Sequence, residues 1–269
     1  MVTRPTPSIV LAPALMLALA CNSPNPTQPT ALTATDPAPD VSSALAAAAA
    51  TTSASGAAAA ESRLPEFDPG DFVRHVTNPL FPLPLGTTLI YRGTEDGLPE
   101  RVVTEVTTDH KTILGVPVVV VLDRVFLNGV LKEKTFDWYA QDQDGNVWYF
   151  GEDTKEFENG KVISTAGSFE AGKNGAHAGI IMRAHPVLGQ TTPQEFAAGV
   201  AEDKGKVLDL DATVTVPYGT LPHCLKQAEF TPLEPAALEH KFYCPGIGIA
   251  RERDVSGGTV NTALAIVRR

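Results

Sequence analysis

Short runs rich in β-branched and aromatic residues alternate along the chain with Gly-containing turns at a fairly even spacing. Asp-Gly and Asn-Gly pairs supply the positive φ that tight hairpins demand. Such pairs lie at Asp96-Gly97, Asn128-Gly129, Asp144-Gly145 and Asn159-Gly160, and Leu114-Gly115 keeps the same spacing. The runs between these turns predict strands over Thr87 to Arg92, Arg101 to Thr108, Val116 to Leu127, Val130 to Ala140, Val147 to Phe150 and Val162 to Phe169. Since each run is joined to the next by a short turn, the sequence predicts an antiparallel meander.

The second half continues the strand pattern with one interruption, a short helix predicted within Gln194 to Lys204. Further strands are predicted over Val207 to Val216, His223 to Phe230, Leu238 to Tyr243, Ile247 to Arg253 and Thr262 to Arg268. The predicted fold class is mainly β: an antiparallel meander sheet, curved into a half-barrel, with one or two short helices.

Two neighbouring strands differ in how they should be covered. The run Val116 to Val121 is nearly all apolar, which predicts burial of both faces, whereas Lys132 to Asp137 is polar and is expected to be half exposed. We therefore expect a sheet with one covered face and one face in contact with water.

The N-terminus has the layout of a secretory signal peptide. Arg4 precedes the apolar run Ile9 to Ala20, which is too short to cross a hydrocarbon core of about 30 Å. Ala18-Leu19-Ala20-Cys21 resembles a lipobox with its first two positions in swapped order, and this resemblance implies acylation of Cys21. Ordinary cleavage near Ala20 is the alternative. By resemblance to Gram-negative lipoproteins, Asn22 after the Cys favours the outer membrane, with the protein facing the periplasm or the cell surface.

Composition then divides the chain into three parts. Residues 1–20 are the predicted signal peptide, residues 21–62 an Ala-, Ser-, Thr- and Pro-rich tether, and residues 63–269 a single β-rich domain. The net charge of −10 argues against nucleic acid as a partner. The expected partner is the membrane, through the N-terminal lipid anchor.

Glu234 lies in the Pro-containing turn Thr231 to Pro235, and Cys224 and Cys244 are each ten residues away from it along the chain, on opposite sides. In a two-stranded hairpin with that turn the two Cys residues would face one another, and an exported location permits a disulfide. Two separate buried thiols are the alternative, because a shift of one residue in register would turn the side chains to opposite faces.

One segment resembles a family of uncharacterised bacterial secreted proteins and lipoproteins. The resemblance rests on DWYAQDQDGNVWYFGED at Asp137 to Asp153, NPLFPLPLGT at Asn78 to Thr87 and VPYGT at Val216 to Thr220. YCPGIGIARER at Tyr243 to Arg253 also resembles the last strand of LolA-like and LppX-like periplasmic domains. That resemblance implies a curved sheet that cups an apolar ligand or lipid.

Carboxylates offer two candidate chemistries. Asp142 and Asp144 begin a segment similar to a calcium loop, but the Gly comes one residue early and the final Glu is missing, so a hairpin turn is the alternative. No cofactor is expected, although Ca²⁺ binding stays open. A second set could supply paired carboxylates for general acid–base catalysis on a polysaccharide. Its members are Asp153, Glu195, Glu202 and Asp203, with His185 nearby.

Four aromatic residues lie on two neighbouring predicted strands: Trp138, Tyr139, Trp148 and Tyr149. Because side chains alternate between faces, adjacent members must point in opposite directions. One set is expected to join the core. The other would either pack in the same way or present rings to a ligand.

Two functions remain after the sequence is read. The first is an envelope lipoprotein that binds an apolar or amphipathic ligand, or a partner protein, with a cavity expected between the sheet and the segment Gly172 to Gly199. The second is a secreted polysaccharide hydrolase or lyase that uses Asp153 and Glu195 in an open groove. The sequence has no G-x-S-x-G elbow, no P-loop and no His pairing typical of zinc sites, so it leans away from an enzyme.

Overall fold

The computed structural model describes residues 64–269, and almost all of them lie in or between antiparallel strands. The predicted signal peptide, Cys21 and the tether lie outside the described residues. The strands are β1 Phe72–Val73, β2 Thr88–Glu95, β3 Leu98–Ile113, β4 Val116–Leu127, β5 Val130–Asp142, β6 Val147–Glu158, β7 Lys161–Ser164, β8 Phe169–Glu170, β9 His177–Met182, β10 Thr191–Pro193, β11 Glu195–Phe196, β12 Lys204–Val216, β13 Gly219–Phe230, β14 Leu238–Cys244, β15 Gly248–Ser256 and β16 Asn261–Arg268.

The strands form one curved sheet in the order β10-β12-β13-β14-β15-β16-β2-β3-β4-β5-β6-β9-β11. Strand β1 pairs with β5, while β7 and β8 pair with β6. The sheet is nearly closed and has one seam, between β10 at one end and β11 at the other. The chain crosses this seam directly, because β10 and β11 are separated by Gln194 alone. The predicted fold class, a mainly β antiparallel meander that curves into a half-barrel, is confirmed.

The turn chemistry places the hairpins as predicted. Asp96, Asn128 and Asn159 all have positive φ and are each followed by a Gly with positive φ. The hairpin of β13 and β14 also has the predicted register, since Leu225 pairs with Tyr243. This register sets Cys224 opposite Cys244, and the two sulfur atoms form a disulfide.

The predicted helix is wrong. The segment Gln194 to Lys204 is not a helix: it contains β11 and a bridge between Ala197 and Ala201. Pairing with neighbouring strands prevents helix formation. The Gln194 N–H donates to the Asp203 carbonyl at 2.8 Å, next to the β10–β12 ladder, and Glu195 pairs with Ala178 of β9. Within residues 64–269 the helical structure is a single 3-10 turn at Pro69–Asp71.

The polar run of β5 is half exposed, as predicted. Glu133, Thr135 and Asp137 are its buried members, on the concave side of the sheet. Lys132 and Lys134, which alternate with them, point outward and are half-buried. The side chains alternate as predicted, and one polar set occupies the inside.

Apolar side chains pack on both sides of β4, β5 and β6. On the convex side Trp138, Trp148 and Phe150 are covered by Phe67 and Phe72 from the start of the described chain. On the concave side an apolar layer includes Val119, Val121, Tyr139, Phe81 and Leu83. A search of residues 64–269 for a helix with the length and hydropathy of a membrane span finds none.

Candidate functional site

The concave side of the sheet holds a set of buried charged groups that we call the acidic interior. Of the Lys and Arg residues between 64 and 269, Lys241 alone is buried. Eleven buried carboxyl groups accompany it: Glu95, Glu100, Asp123, Glu133, Asp137, Glu152, Glu195, Asp203, Glu229, Glu239 and Glu252. Buried charges are costly unless they are paired or neutralised, so the protonation of this set is the main question that the site raises.

Lys241 lies among three of these carboxyls. Its ammonium nitrogen is 2.7 Å from Glu229, 3.3 Å from Glu239 and 4.0 Å from Glu252. Burial alone would lower the pKa of Lys241, but the three carboxylates raise it well above its ordinary value. The Tyr243 hydroxyl donates a second hydrogen bond to Glu229 at 2.6 Å. Lys241 is therefore a permanent cation inside the sheet.

Burial raises the pKa of Glu239 well above its ordinary value, with Glu252 adding to the shift. No hydrogen bond of good geometry reaches either carboxyl oxygen of Glu239 from the described residues. Burial therefore favours the neutral form of Glu239, while Lys241 opposes the shift.

A continuous chain of hydrogen bonds runs along β5 and β6, and we call it the carboxyl–hydroxyl chain. Its members, in order, are Glu133, Thr135, Thr154, Glu152, Tyr149 and Asp137, with successive distances of 3.1, 2.9, 3.0, 2.7 and 2.7 Å. These five hydrogen bonds need five donors, whereas the three hydroxyls supply three. Two of the three carboxyls must therefore carry a proton. The directions of their pKa shifts agree, since burial raises the pKa of Glu133, Glu152 and Asp137 well above the ordinary values.

Two further carboxyls lie at the seam. Glu195 is 2% exposed, and neither of its carboxyl oxygens has a hydrogen-bond partner among the described residues. Burial, followed by repulsion from Asp203 and Glu152, raises its pKa well above the ordinary value. Burial also raises the pKa of Asp203, to about 6. Glu195 is thus held as a neutral acid at neutral pH.

A cavity of about 60 Å³ opens within the concave side between β2, β3, β4 and β15. We call it the interior cavity. Its apolar walls include Phe81, Leu83, Leu89 and Ile249. Its polar wall is made of Glu100, Asp123, Glu252, Tyr91, Thr104 and Thr262. The predicted cavity beside Gly172 to Gly199 is not this one, because no residue of that segment lines it.

Two carboxyls of the interior cavity have pKa values close to neutral pH. Burial, with repulsion from Glu252, raises the pKa of Glu100 to about 8. Burial also raises the pKa of Asp123 to about 7, against the opposite effect of the neighbouring Thr104 hydroxyl. No hydrogen bond of good geometry reaches either oxygen of Asp123, or Oε2 of Glu100, from the described residues. Both groups therefore change their protonation close to neutral pH.

The structure separates the residues that were predicted to act as paired carboxylates. Asp153 lies on the convex side and forms an ion pair with Lys155 at 2.7 Å, whereas Glu195 is buried on the concave side. Glu202 is half-buried and accepts a hydrogen bond from the Gly199 N–H. His185 is exposed. Asp153 and Glu195 therefore share no groove, and only Glu195 and Asp203 belong to the acidic interior.

A bulge explains why Glu152, and not Asp153, faces inward. Strict alternation from the inward-facing Tyr149 would place Asp153 inside. The register between β5 and β6 shifts at Gly151, which has a φ of +125°. A side chain at Gly151 would meet the Phe169 carbonyl, so only Gly fits there. A Gly within a strand-like run was the one signal that could have located this shift from the sequence.

Asp142 and Asp144, the residues considered for calcium, lie at the turn between β5 and β6. The Asp142 carboxylate accepts hydrogen bonds from the Asn146 backbone and side chain and from the Trp148 ring nitrogen, at 2.8 to 2.9 Å. No group of three or more potential metal ligands is found within residues 64–269. These contacts of Asp142 close the turn and hold the hairpin of β5 and β6.

The four aromatic residues point in alternate directions as expected. Tyr139 and Tyr149 stack on the concave side with ring centroids 5.0 Å apart. Trp138 and Trp148 lie on the convex side, where Lys111 sits 3.3 Å over the Trp138 ring and Phe67 packs against Trp148. Of the four, Tyr139 alone lines the interior cavity.

Comparison with known proteins gives little similarity. No family model matches the sequence, and no curated protein matches it. A candidate exported protein with a YmcC-like fold from Bacteroides fragilis is 14% identical, with a TM-score of 0.43 over 70% of this chain and 98% of that chain. A candidate lipoprotein from Parabacteroides distasonis is 13% identical, with a TM-score of 0.38 over 71% of this chain and 99% of that chain. Scores this low carry no argument about function, and the family resemblance of the Asp137 to Asp153 segment stays a prediction.

Proposed function

We propose that this protein is an exported lipoprotein of the cell envelope that binds a small amphipathic ligand in its interior cavity. The observation that carries the proposal is the cavity itself, which has apolar walls on one side and three carboxyls on the other. A mixed lining of this kind is typical of small-molecule sites. The signal peptide, Cys21 and the tether support the proposed location.

The size of the cavity limits the ligand. With a volume of about 60 Å³, it has room for roughly four to six non-hydrogen atoms. A whole lipid does not fit in this conformation. The ligand is therefore a small molecule, or the end of a longer one that enters between the strands.

Native mass spectrometry of residues 22–269, purified from the periplasm, tests the proposal. We expect a bound mass that is lost on mild denaturation. The variant Val102→Phe, which fills the cavity, should purify without that mass. Val103→Phe, on the other face of β3, should keep it. A bare polypeptide mass for the wild type, or equal ligand content in both variants, would contradict the proposal.

The anchor is tested separately. Intact-mass measurement of the full chain, expressed with its own signal peptide, should show acyl chains on the wild type and none on Cys21→Ser. Cleavage near Ala20 without acylation would move the protein from the membrane to the periplasm or medium and would leave the proposed ligand binding untouched.

A further inference from the structure

The polarity of the interior cavity changes in the same direction along three of the strands that line it. On β4 the lining passes from Val121 to Asp123, and on β15 it passes from Ile249 to Glu252. On β3 it passes from Val102 to Glu100. The cavity thus has an apolar part beside Phe81 and Leu83 and an acidic part formed by three carboxyls.

The acidic part contains carboxyl oxygens that lack hydrogen-bond partners among residues 64–269. Asp123 is 1% exposed and Glu100 is 4% exposed, yet both have carboxyl oxygens without a hydrogen bond of good geometry to the described residues. A buried polar atom without a hydrogen-bond partner destabilises the folded protein. A ligand that donates hydrogen bonds at this position would supply the missing partners.

Lys241 indicates which donor suits the acidic interior. Its ammonium group already lies among three carboxyls, and the most distant of them, Glu252 at 4.0 Å, also lines the cavity. A second ammonium group on the cavity side of Glu252 would meet Asp123 and Glu100. An ammonium has three donors and no acceptor, which matches three carboxyls.

We infer that the interior cavity binds a small primary alkylamine, with its ammonium group among Glu100, Asp123 and Glu252 and its alkyl chain against Phe81, Leu83 and Leu89. This inference rests on the proposed function and names the class of its ligand. Anions are excluded by repulsion from the carboxyls. Neutral alcohols would fill the apolar part and gain less from the acidic part, because hydrogen bonds to charged groups are stronger than neutral ones.

The release of protons on amine binding gives a second test of the inference, in addition to affinity. Asp123 and Glu100 titrate near neutrality, at about 7 and about 8, so a bound ammonium must displace protons that they carry. The charged groups that influence them are Glu95, Glu252 and Asp254, with Lys241 and Arg124 acting in the opposite direction. Amine binding should therefore release about one proton at pH 7 and tighten about tenfold between pH 6 and pH 7.

Isothermal titration of residues 22–269 with n-butylamine, n-butanol and butyrate tests the inference. We expect butylamine to bind at least about tenfold more tightly than butanol, and butyrate not to bind. Titrations in two buffers of different ionisation enthalpy should report the released proton. Asp123→Asn should weaken butylamine binding at least about tenfold and leave butanol binding unchanged. Asp254→Asn, a nearby half-buried carboxyl outside the cavity lining, should change either by less than about threefold.

Asp123→Asn keeps the shape of the neutral carboxyl, so the variant should retain the wild-type melting temperature at pH 5. Equal affinity for butylamine and butanol, or binding of Ca²⁺ with none of butylamine, would overturn the inference. A neutral or acidic ligand in the native mass spectrum would overturn it as well, while the proposed function would stand. Absence of every bound ligand, together with no binding of butanol or butylamine, would overturn both.

Discussion

The two faces of β5 and β6 are both buried, but they are stabilised in different ways. The convex face consists of Trp138, Trp148 and Phe150 beneath Phe67 and Phe72, with ring centroids 5.3 to 5.8 Å apart where they pack. The concave face carries the carboxyl–hydroxyl chain, and Lys241 acts electrostatically on Asp137 of that chain. Apolar burial stabilises the convex face, whereas the stability of the concave face depends on which carboxyl groups are protonated.

The stability of the two faces should therefore respond differently to pH. Carboxyls whose folded pKa is raised above the unfolded value stabilise the protein below the unfolded pKa, and that stability is lost as the pH rises through the folded pKa. On the concave side, burial raises the pKa of Asp203 to about 6 and that of Glu100 to about 8. The concave face should therefore weaken between pH 5 and pH 8, while the convex face should not change.

The largest effect is expected for Lys241→Met, which removes the one buried cation of the described chain. At pH 8 it leaves Glu229 and its neighbours without a counter-charge, so we expect a loss of about 5 kcal/mol in the free energy of unfolding. At pH 5 the loss should be smaller, because more of the carboxyls are neutral. Urea denaturation at both pH values measures the difference.

Lys226→Met is the matched control, since Lys226 lies on the adjacent strand β13, on the opposite face, over Phe242. It should cost less than about 1 kcal/mol at either pH. If the two Lys variants unfolded at the same urea concentration, the concave face would not depend on its cation.

Phe150→Ala examines the convex face. Phe150 is fully buried and packs against Phe67 and Phe72, so its truncation should cost about 4 kcal/mol. The loss should be the same at pH 5 and pH 8, because its packing partners do not titrate. A loss that grew with pH would show that the two faces are not separate.

The sequence could predict the strands because the information for them is local. Asn-Gly and Asp-Gly turns require particular φ values, and the symmetry of Cys224 and Cys244 about Glu234 predicted the register of the β13–β14 hairpin. Side-chain alternation likewise predicted that Tyr139 and Trp138 point in opposite directions.

The sequence could not predict which face is the inside. Alternation of side chains is the same whether a polar set faces water or a buried network, so the sequence did not show that Glu133 and Asp137 belong to the inside. The bulge at Gly151 then turns Glu152, instead of Asp153, toward the concave side. The segment after β10 forms β11 instead of a helix, because the pairing of Glu195 with Ala178 and of Gln194 with Asp203 outweighed its local preference.

Tyr149→Phe should have an intermediate effect. The Tyr149 hydroxyl bonds both Asp137 and Glu152 at 2.7 Å, and its loss leaves two buried carboxyls with one partner fewer. We expect a cost of about 2 kcal/mol in urea denaturation. Tyr139→Phe is the control, because the Tyr139 hydroxyl has no hydrogen bond to the described residues and should contribute less than about 0.5 kcal/mol. Equal costs would mean that the carboxyl–hydroxyl chain does not hold β5 to β6.

The smallest effect, and the most specific, is expected for Glu195→Gln. Gln keeps the shape of the neutral acid but cannot ionise, so at pH 5 the variant and the wild type should have the same stability. As the pH rises to 8 the wild type loses stability, because unfolding releases the proton that burial holds on Glu195. The variant avoids that loss and should be more stable at pH 8 by at least about 1 kcal/mol. Glu202→Gln, which changes a half-buried carboxyl seven residues away, should give no such difference between the two pH values. A Glu195→Gln variant that was destabilised equally at both would mean that Glu195 is ionised in the folded protein and has a partner at the seam.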